Sequence, residues 1–329
     1  MKFSRIGLAA AAVAMLALTA CSGGQTSDPA SSSGASVSGS FPATVDTKFG
    51  EVTVKSAPKR IVALGWGDAE TVLALGGQPV GASDWLAFGG DGVGPWAKGL
   101  YTESPKLIDT LKPSYEAIAA LKPDLILDVK SSGDEARYER LSSIAPTIGV
   151  PKDGDSYLTS MDEQMTMIST ALGQADKGKE LLAAVDKQYE AAAAAHPDWK
   201  GKTVAAATRT SEGWGAYIEG SERVTFLERL GFVQSPKVAA LGPNATGFSV
   251  DISAEQLDQL DADLIVAFPI FIDTKEITDD ALWKAIPAVA DGRSVVIDGD
   301  VSSAYSLGTT LAASYAIEHV VPLIEKALG

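Results

Sequence analysis

The chain has 329 residues, 46% of them hydrophobic, with a formal net charge of −15 at pH 7, one cysteine and two histidines. That acidity argues against nucleic acid as a partner and against direct attraction to anionic lipid. A single cysteine excludes an intramolecular disulfide, and the length provides for two compact domains after the N-terminal segments.

The N-terminus reads MKFSRIGLAAAAVAMLALTAC. Lys2 and Arg5 precede an apolar run too short to remain in a membrane, so residues 1–20 are expected to be a secretory signal peptide. The small residues before Cys21 resemble a bacterial lipobox, in which that thiol receives a diacylglycerol and becomes the first mature residue. Cleavage without lipidation is the alternative. Residues 21–40, dominated by Gly, Ser and Pro, read as a flexible tether. The expected location is therefore outside the cell, lipid-anchored to the outer face of the cell membrane by several acyl chains.

From Phe41 the pattern becomes that of a packed α/β fold. KRIVAL (59–64) reads as a strand feeding the loop GWGDAE and the helical ETVLALGG, and PVGAS (79–83) as a second strand. EAIAALKPDLIL (116–127) reads as a helix running into a strand, and LSSIAPTIGV (141–150) as a short helix and another strand. Such alternation predicts a parallel sheet covered on both faces, and residues 41–155 are expected to form a first lobe. Residues 156–196 carry no strand signal. SYLTSMDEQMTMISTALG and QADKGKELLAAVDKQYEAAAAA are helical, the second about 30 Å long at the standard rise.

Residues 197–329 repeat the order. KTVAAA (202–207) is a strand, VTFLERLGF a helix, EQLDQLDADLIV (255–266) the helix and strand again, LWKAIPAV and SVVIDGD the following pair, and TLAASYAIEHVVPLIEKAL the closing helix. The expectation is an α/β fold of two similar lobes with mainly parallel sheets, joined by one long helix.

Ligands of parallel sheets bind beyond the carboxyl ends of the strands. Searching there gives Trp66; Asp84, Trp85 and Phe88; Lys130, Arg137 and Tyr138; Arg209, Trp214 and Tyr217; Phe268 and Phe271; and Tyr305. From these the candidate ligand-binding set is Trp66, Trp85, Lys130, Arg209, Trp214, Tyr217, Phe268 and Tyr305, aromatic faces for an organic shell and cations for its oxygens. For each of them, packing within or between lobes is the competing account. Trp199 and Trp283, in a turn and a helix, read as structural. His196 and His319 follow no strand, so direct metal capture is not expected, nor is a resident cofactor. GQADKGKE (173–180) approaches a phosphate-binding loop but ends in Glu180 where Ser or Thr belongs, and no strand precedes it. No nucleophile elbow accompanies either histidine.

Taken in order, the lipobox, APKRIVALGWGDAETVLALGGQPVG, YEAIAALKPDLIL, the long helix, FLERLGF, AEQLDQLDADLIV and AIPAV resemble one family across nearly the whole mature chain. It is the class III periplasmic binding proteins, substrate-binding lipoproteins of ABC transporters with a single helical connection, which capture ferric siderophores, cobalamin or haem. The resemblance implies a monomer that is not an enzyme, an ABC permease with its ATPase as partner, and an Fe(III)–siderophore complex as ligand. In that family one glutamate per lobe meets arginines on the permease, and those positions match Glu116 and Glu255. The residues alone are also accounted for as first-turn acids of two helices. Carboxylates there are stabilised by the helix dipole and accept bidentate arginine bonds. A siderophore brings its own iron ligands, and the few cations after strands favour a neutral or mildly charged hydroxamate type over a polyanionic catecholate. Cobalamin or haem is the alternative, haem with Tyr217 or Tyr305 as axial ligand. An exported enzyme is the remote one.

Overall fold

The computed structural model describes residues 39–329; the signal segment, Cys21 and the tether to residue 38 lie outside the described residues. The chain enters through an antiparallel hairpin, β1 (Ala43–Thr47) and β2 (Gly50–Val54). The first lobe follows, with β3 (Ile61–Ala63), β4 (Pro79–Ser83), β5 (Lys106–Ile108), β6 (Leu125–Leu127) and β7 (Thr147–Ile148). They form one five-stranded parallel sheet in the order β5-β4-β3-β6-β7. Its helices are α1 (Asp68–Ala74), α2 (Tyr115–Ala120) and α3 (Glu135–Ser142).

Strand periodicity decides which side chain meets which layer. Ile61, Ala63, Leu125 and Leu127 share a core with α1 and the hairpin, while Val62, Leu64 and Ile126 face Ile118 of α2 and Leu141 of α3. Both faces are buried, which is why these strands read as unbroken apolar runs.

Two helices then cross to the second lobe, α4 (Met161–Ala171) and α5 (Ala175–Ala195). Ser160 opens α4 with a complete capping box, its hydroxyl accepting from Glu163 N while the Glu163 carboxylate accepts from Ser160 N. With 21 residues, α5 is about 31 Å long. Leu181 packs against the first-lobe core, whereas Val185 and Tyr189 lie within the second-lobe core. The helix is thus fastened at both ends.

The second lobe contains β8 (Thr203–Arg209), β9 (Trp214–Tyr217), β10 (Val233–Gln234), β11 (Ser249–Ile252), β12 (Leu264–Pro269) and β13 (Ser294–Val296). Its six-stranded sheet runs β11-β9-β8-β12-β13, with β10 beside the start of β8. β9 runs antiparallel to both its neighbours, β8 and β11, so this sheet is mixed, with its other strands parallel as the expected mainly parallel sheet requires. One face carries α6 (Glu222–Arg229). The other is covered by four single turns, α7 (Pro236–Ala239), α8 (Lys275–Thr278), α9 (Ala281–Lys284) and α10 (Pro287–Ala290). The chain closes with α11 (Gly299–Leu307) and α12 (Thr310–Leu328), which pack with α5 and α6. Among the described residues no helix is long and apolar enough to cross a membrane.

The repeated Asp-Leu-Ile has a structural cause. Asp124, just before β6, accepts Lys59 N and Arg60 N, each at 2.8 Å, and Asp263, just before β12, accepts Thr203 N at 2.7 Å. Each carboxylate satisfies amides at the start of the neighbouring first strand, β3 or β8, which would otherwise lack a partner at the sheet's lower edge.

Candidate functional site

A cavity of about 610 Å³ opens between the lobes, beyond the carboxyl ends of β3, β4, β6 and β12. On the first-lobe side, Trp66 and Trp85 have ring centroids 5.7 Å apart, and Trp85 meets Tyr157 edge-on at 5.3 Å. On the second-lobe side, Tyr217 stacks on Phe268 at 5.8 Å and on Phe248 at 6.3 Å. Arg223 joins the two walls, its guanidinium 5.2 Å from the Trp66 ring and 4.6 Å from the Tyr217 ring. Cation–π attraction at such distances contributes on the order of 1 kcal/mol per contact.

The loops that carry these groups are tied down. Trp66 N donates to Lys130 O at 2.8 Å, crosslinking the loops after β3 and β6. Trp85 Nε1 donates to Leu64 O at 2.9 Å, and Trp66 Nε1 reaches across to Leu307 O at 3.1 Å. Gly67, at φ +77°, lets the chain turn here, and a Cβ on it would lie 2.6 Å from Thr309 Cγ2. Any side chain there would force the Thr309 methyl to shift and would sit in a backbone conformation that L residues rarely adopt. Asp68 next to it is buried and accepts from Gly65 N, Val129 N and the Gln164 amide. Burial raises its pKa to about 6 despite those bonds. Glu70 is also raised by burial, while accepting from Trp96 Nε1, Gly94 N and Thr309 Oγ1.

Three of the described lining residues carry charge: Lys130, Glu222 and Arg223. Lys130 Nζ lies 3.6 Å from Glu222 Oε2, a first-lobe cation against a second-lobe anion. Burial lowers the Lys130 pKa, and Glu222 is the main group holding it up. Arg223 Nε and Ser221 Oγ are buried and find no hydrogen-bond partner among the described residues. Both belong to residues that line the cavity. Polar groups left so carry a desolvation cost that a ligand oxygen would offset.

Five of the eight sequence-derived candidates line the cavity: Trp66, Trp85, Lys130, Tyr217 and Phe268. The other three do not. Trp214 is the first residue of β9, three positions before Tyr217, and strand alternation turns it to the opposite face. There it stacks on Trp283 at 5.2 Å within the outer core. Arg209, its cross-strand partner, shares that face, its guanidinium 5.7 Å from the Trp214 ring. Tyr305 is 1% exposed, its hydroxyl donating to Arg223 O at 2.7 Å. It supports the site from behind.

Sequence reasoning missed Arg223 and Tyr157. Arg223 lies beyond β9, and that strand was hidden because it returns antiparallel after a short turn instead of leading into a helix. Reading WGAY as a strand extends the search to Ser221-Glu222-Arg223. Tyr157 and Ser156 hold φ of +62° and +50°, and Phe271 on the facing lobe +55°. Left-handed backbone in side-chain-bearing residues is costly and gathers at functional sites. All three line this cavity. Phe271 is 88% exposed at the mouth, with Leu111 also exposed on the first lobe.

Other post-strand candidates stay local: Arg137 forms a two-bond pair with Asp128, and Tyr138 stacks on Phe49 at 4.0 Å. Trp199 is buried, stacked between His196 and Phe232. A second hollow of about 700 Å³, beside Gly39 and the α4–α5 turn, is lined by backbone and short or flexible polar side chains without an aromatic wall.

Glu116 and Glu255 are both exposed and occupy matching places. Each is the second residue after a serine N-cap, Ser114 and Ser253. Each element leads into the strand that pairs with its lobe's first strand, β6 with β3 and β12 with β8. Residues 254–260 form a 3₁₀ helix and not the α-helix the sequence suggests.

The family model described as periplasmic binding protein matches residues 61–301. The "Probable siderophore-binding lipoprotein YfiY" of Bacillus subtilis (strain 168) is 31% identical over 324 residues, 94% of this chain and 94% of that one. The "Ferric enterobactin-binding periplasmic protein FepB" of Escherichia coli O6:H1 is 28% identical over 258 residues, 70% of this chain and 79% of that protein. Among solved structures, Streptococcus pneumoniae TIGR4 PiaA in complex with ferrichrome is similar with a TM-score of 0.74 at 27% identity, covering 87% of this chain and 98% of that one. With two α/β lobes fastened by one long helix, and a match spanning most of its length, the chain belongs to the periplasmic binding protein family.

Proposed function

We propose that the chain captures a ferric siderophore between its lobes and delivers it to the permease of an ABC importer. The observation that carries this reading is the cavity wall: stacked aromatics from both lobes around Arg223, whose buried Nε is unpartnered among the described residues. A volume of about 610 Å³ falls within the range of roughly 300–1,000 Å³ usual for small-molecule sites. The aromatic faces would cover an organic chelate while the guanidinium meets an oxygen near the iron. Iron here is cargo and arrives with its own ligands.

With Lys130 paired to Glu222, the wall formed by the described residues carries one uncompensated positive charge, from Arg223. That suits a neutral or mildly anionic trihydroxamate better than a trianionic catecholate complex. A similar structure solved in complex with ferrichrome and a relative named for ferric enterobactin represent both ligand classes. Glu116 and Glu255 are the proposed contacts to permease arginines, one per lobe; such rim charges set orientation and encounter rate more than affinity. The proposal includes secretion by the segment 1–20, a lipid anchor at Cys21 holding a monomer at the outer face of the cell membrane, and transport driven by the permease's ATPase.

Trp66 and Trp85 give the test its signal. Titrating intrinsic fluorescence with ferric trihydroxamate, ferric catecholate, haem and cobalamin should give saturable quenching at submicromolar concentration with the hydroxamate first. A response to haem or cobalamin alone would reassign the ligand, and none to any of the four would remove the reading.

A further inference from the structure

The buried ion pair at the cavity floor is unusual in its construction. Lys130 and Glu222 come from different lobes, and their side chains are 5% and 6% exposed. Glu222 is seated in a notch: Gly308 stands at φ +67°, and a Cβ there would lie 2.1 Å from both Glu222 Cγ and Cδ. A glycine at that place keeps room for the carboxylate. Ion pairs withdrawn this far from water are not a dependable source of stability, so their presence in a ligand cavity calls for another account.

We propose that Glu222 is a specificity-determining residue: by neutralising Lys130 it leaves one free positive charge among the described residues of the cavity wall, and so rejects polyanionic chelates in favour of neutral ones. This rests on the reading of the cavity as a siderophore site. The charge count follows from the chemistry. Three hydroxamates balance Fe(III) and leave a neutral complex, whereas three catecholates leave a trianion. A trianion in the present cavity meets Arg223 favourably but also meets the Glu222 carboxylate. Without that carboxylate, Lys130 and Arg223 would both face the ligand, and the anion itself would supply the counter-charge that keeps Lys130 protonated. At cavity distances one such change of charge shifts affinity by roughly tenfold to a hundredfold.

The test compares dissociation constants of full-length mature protein for a ferric trihydroxamate and a ferric tris-catecholate. Glu222→Gln should move the ratio toward the catecholate by about tenfold or more, and Lys130→Met combined with Glu222→Gln should return it toward the wild-type ratio. Ser132→Lys adds a cation at the half-buried wall and leaves the Lys130–Glu222 pair intact, giving up the bond of 3.3 Å that the Ser132 hydroxyl accepts from Asp134 N, and should shift the ratio the same way even where Glu222→Gln fails to fold. If wild type binds the hydroxamate and a folded Glu222→Gln leaves the ratio unmoved, or, where that variant does not fold, Ser132→Lys leaves it unmoved, the selector role is overturned while the siderophore reading stands. Binding of neither chelate by wild type would remove both.

Discussion

Glu70 of the first lobe and Thr309 of the second share a buried hydrogen bond of 2.9 Å, hydroxyl to carboxylate. The same hydroxyl accepts Ala312 N at 3.1 Å and so caps α12. With Trp66 Nε1 on Leu307 O nearby, the α11–α12 corner is a second brace between the lobes, beside the long helix. Thr309→Val removes both roles of the hydroxyl while keeping its shape. It should destabilise by about 1–3 kcal/mol, read as a lower urea midpoint with unchanged slope.

Asp68 makes stability depend on pH. Its folded pKa is raised from 3.8 to about 6, with Asp128 adding to the effect of burial and Lys130 among the nearby charges. The folded state therefore holds a proton that the unfolded chain releases. Its contribution is fully present below pH 3.8 and is lost as pH rises through about 6. Over that window the loss is on the order of 2–3 kcal/mol. Asp68→Asn should remove this component, so unfolding free energies of wild type and variant should converge or cross as pH is raised from acid to neutral.

Arg223→Ala should weaken binding of a ferric trihydroxamate by about tenfold to a hundredfold. Arg223→Lys should recover only part of it, because an ammonium cannot lie flat between Trp66 and Tyr217. Fluorescence titration of the three proteins checks the order.

Trp214 and Tyr217 separate packing from binding on one strand. Trp214→Ala should cost about 3–5 kcal/mol of stability and leave the dissociation constant unchanged where the protein remains folded. Tyr217→Ala should raise that constant. The reverse pattern would mean that the alternation of β9 has been read on the wrong face.

Replacing Glu116 and Glu255 together with alanine should lower cellular uptake of the ferric siderophore by about an order of magnitude or more. Ligand affinity and thermal midpoint should not move, since both side chains are exposed. A loss of affinity would refute their assignment to docking.

The frame of the fold was legible because both faces of each central strand are buried. IVA, LIL and LIVAF read as strands with no help from tertiary context, and the repeated Asp-Leu-Ile marked equivalent places. What stayed hidden lacked that signal. β1, β2, β5, β9 and β11 are no shorter than β3 and β6, but ATVDT, GEVTV, KLI, WGAY and SVDI contain no unbroken aliphatic run to mark them. That gap had a price at the site. Taking Trp214 for a loop residue put it in the ligand set with Arg209, while Arg223 went unseen. Tyr305 follows a strand at short range, but α11 turns it inward.

The location of bound iron tests the central claim most directly. Crystals grown with a ferric trihydroxamate should show one anomalous iron site between Trp66 and Trp85 on one side and Tyr217 and Phe268 on the other, with the Arg223 guanidinium toward a chelate oxygen. Iron bound elsewhere on the protein, or a cavity left empty at saturating ligand, would contradict it.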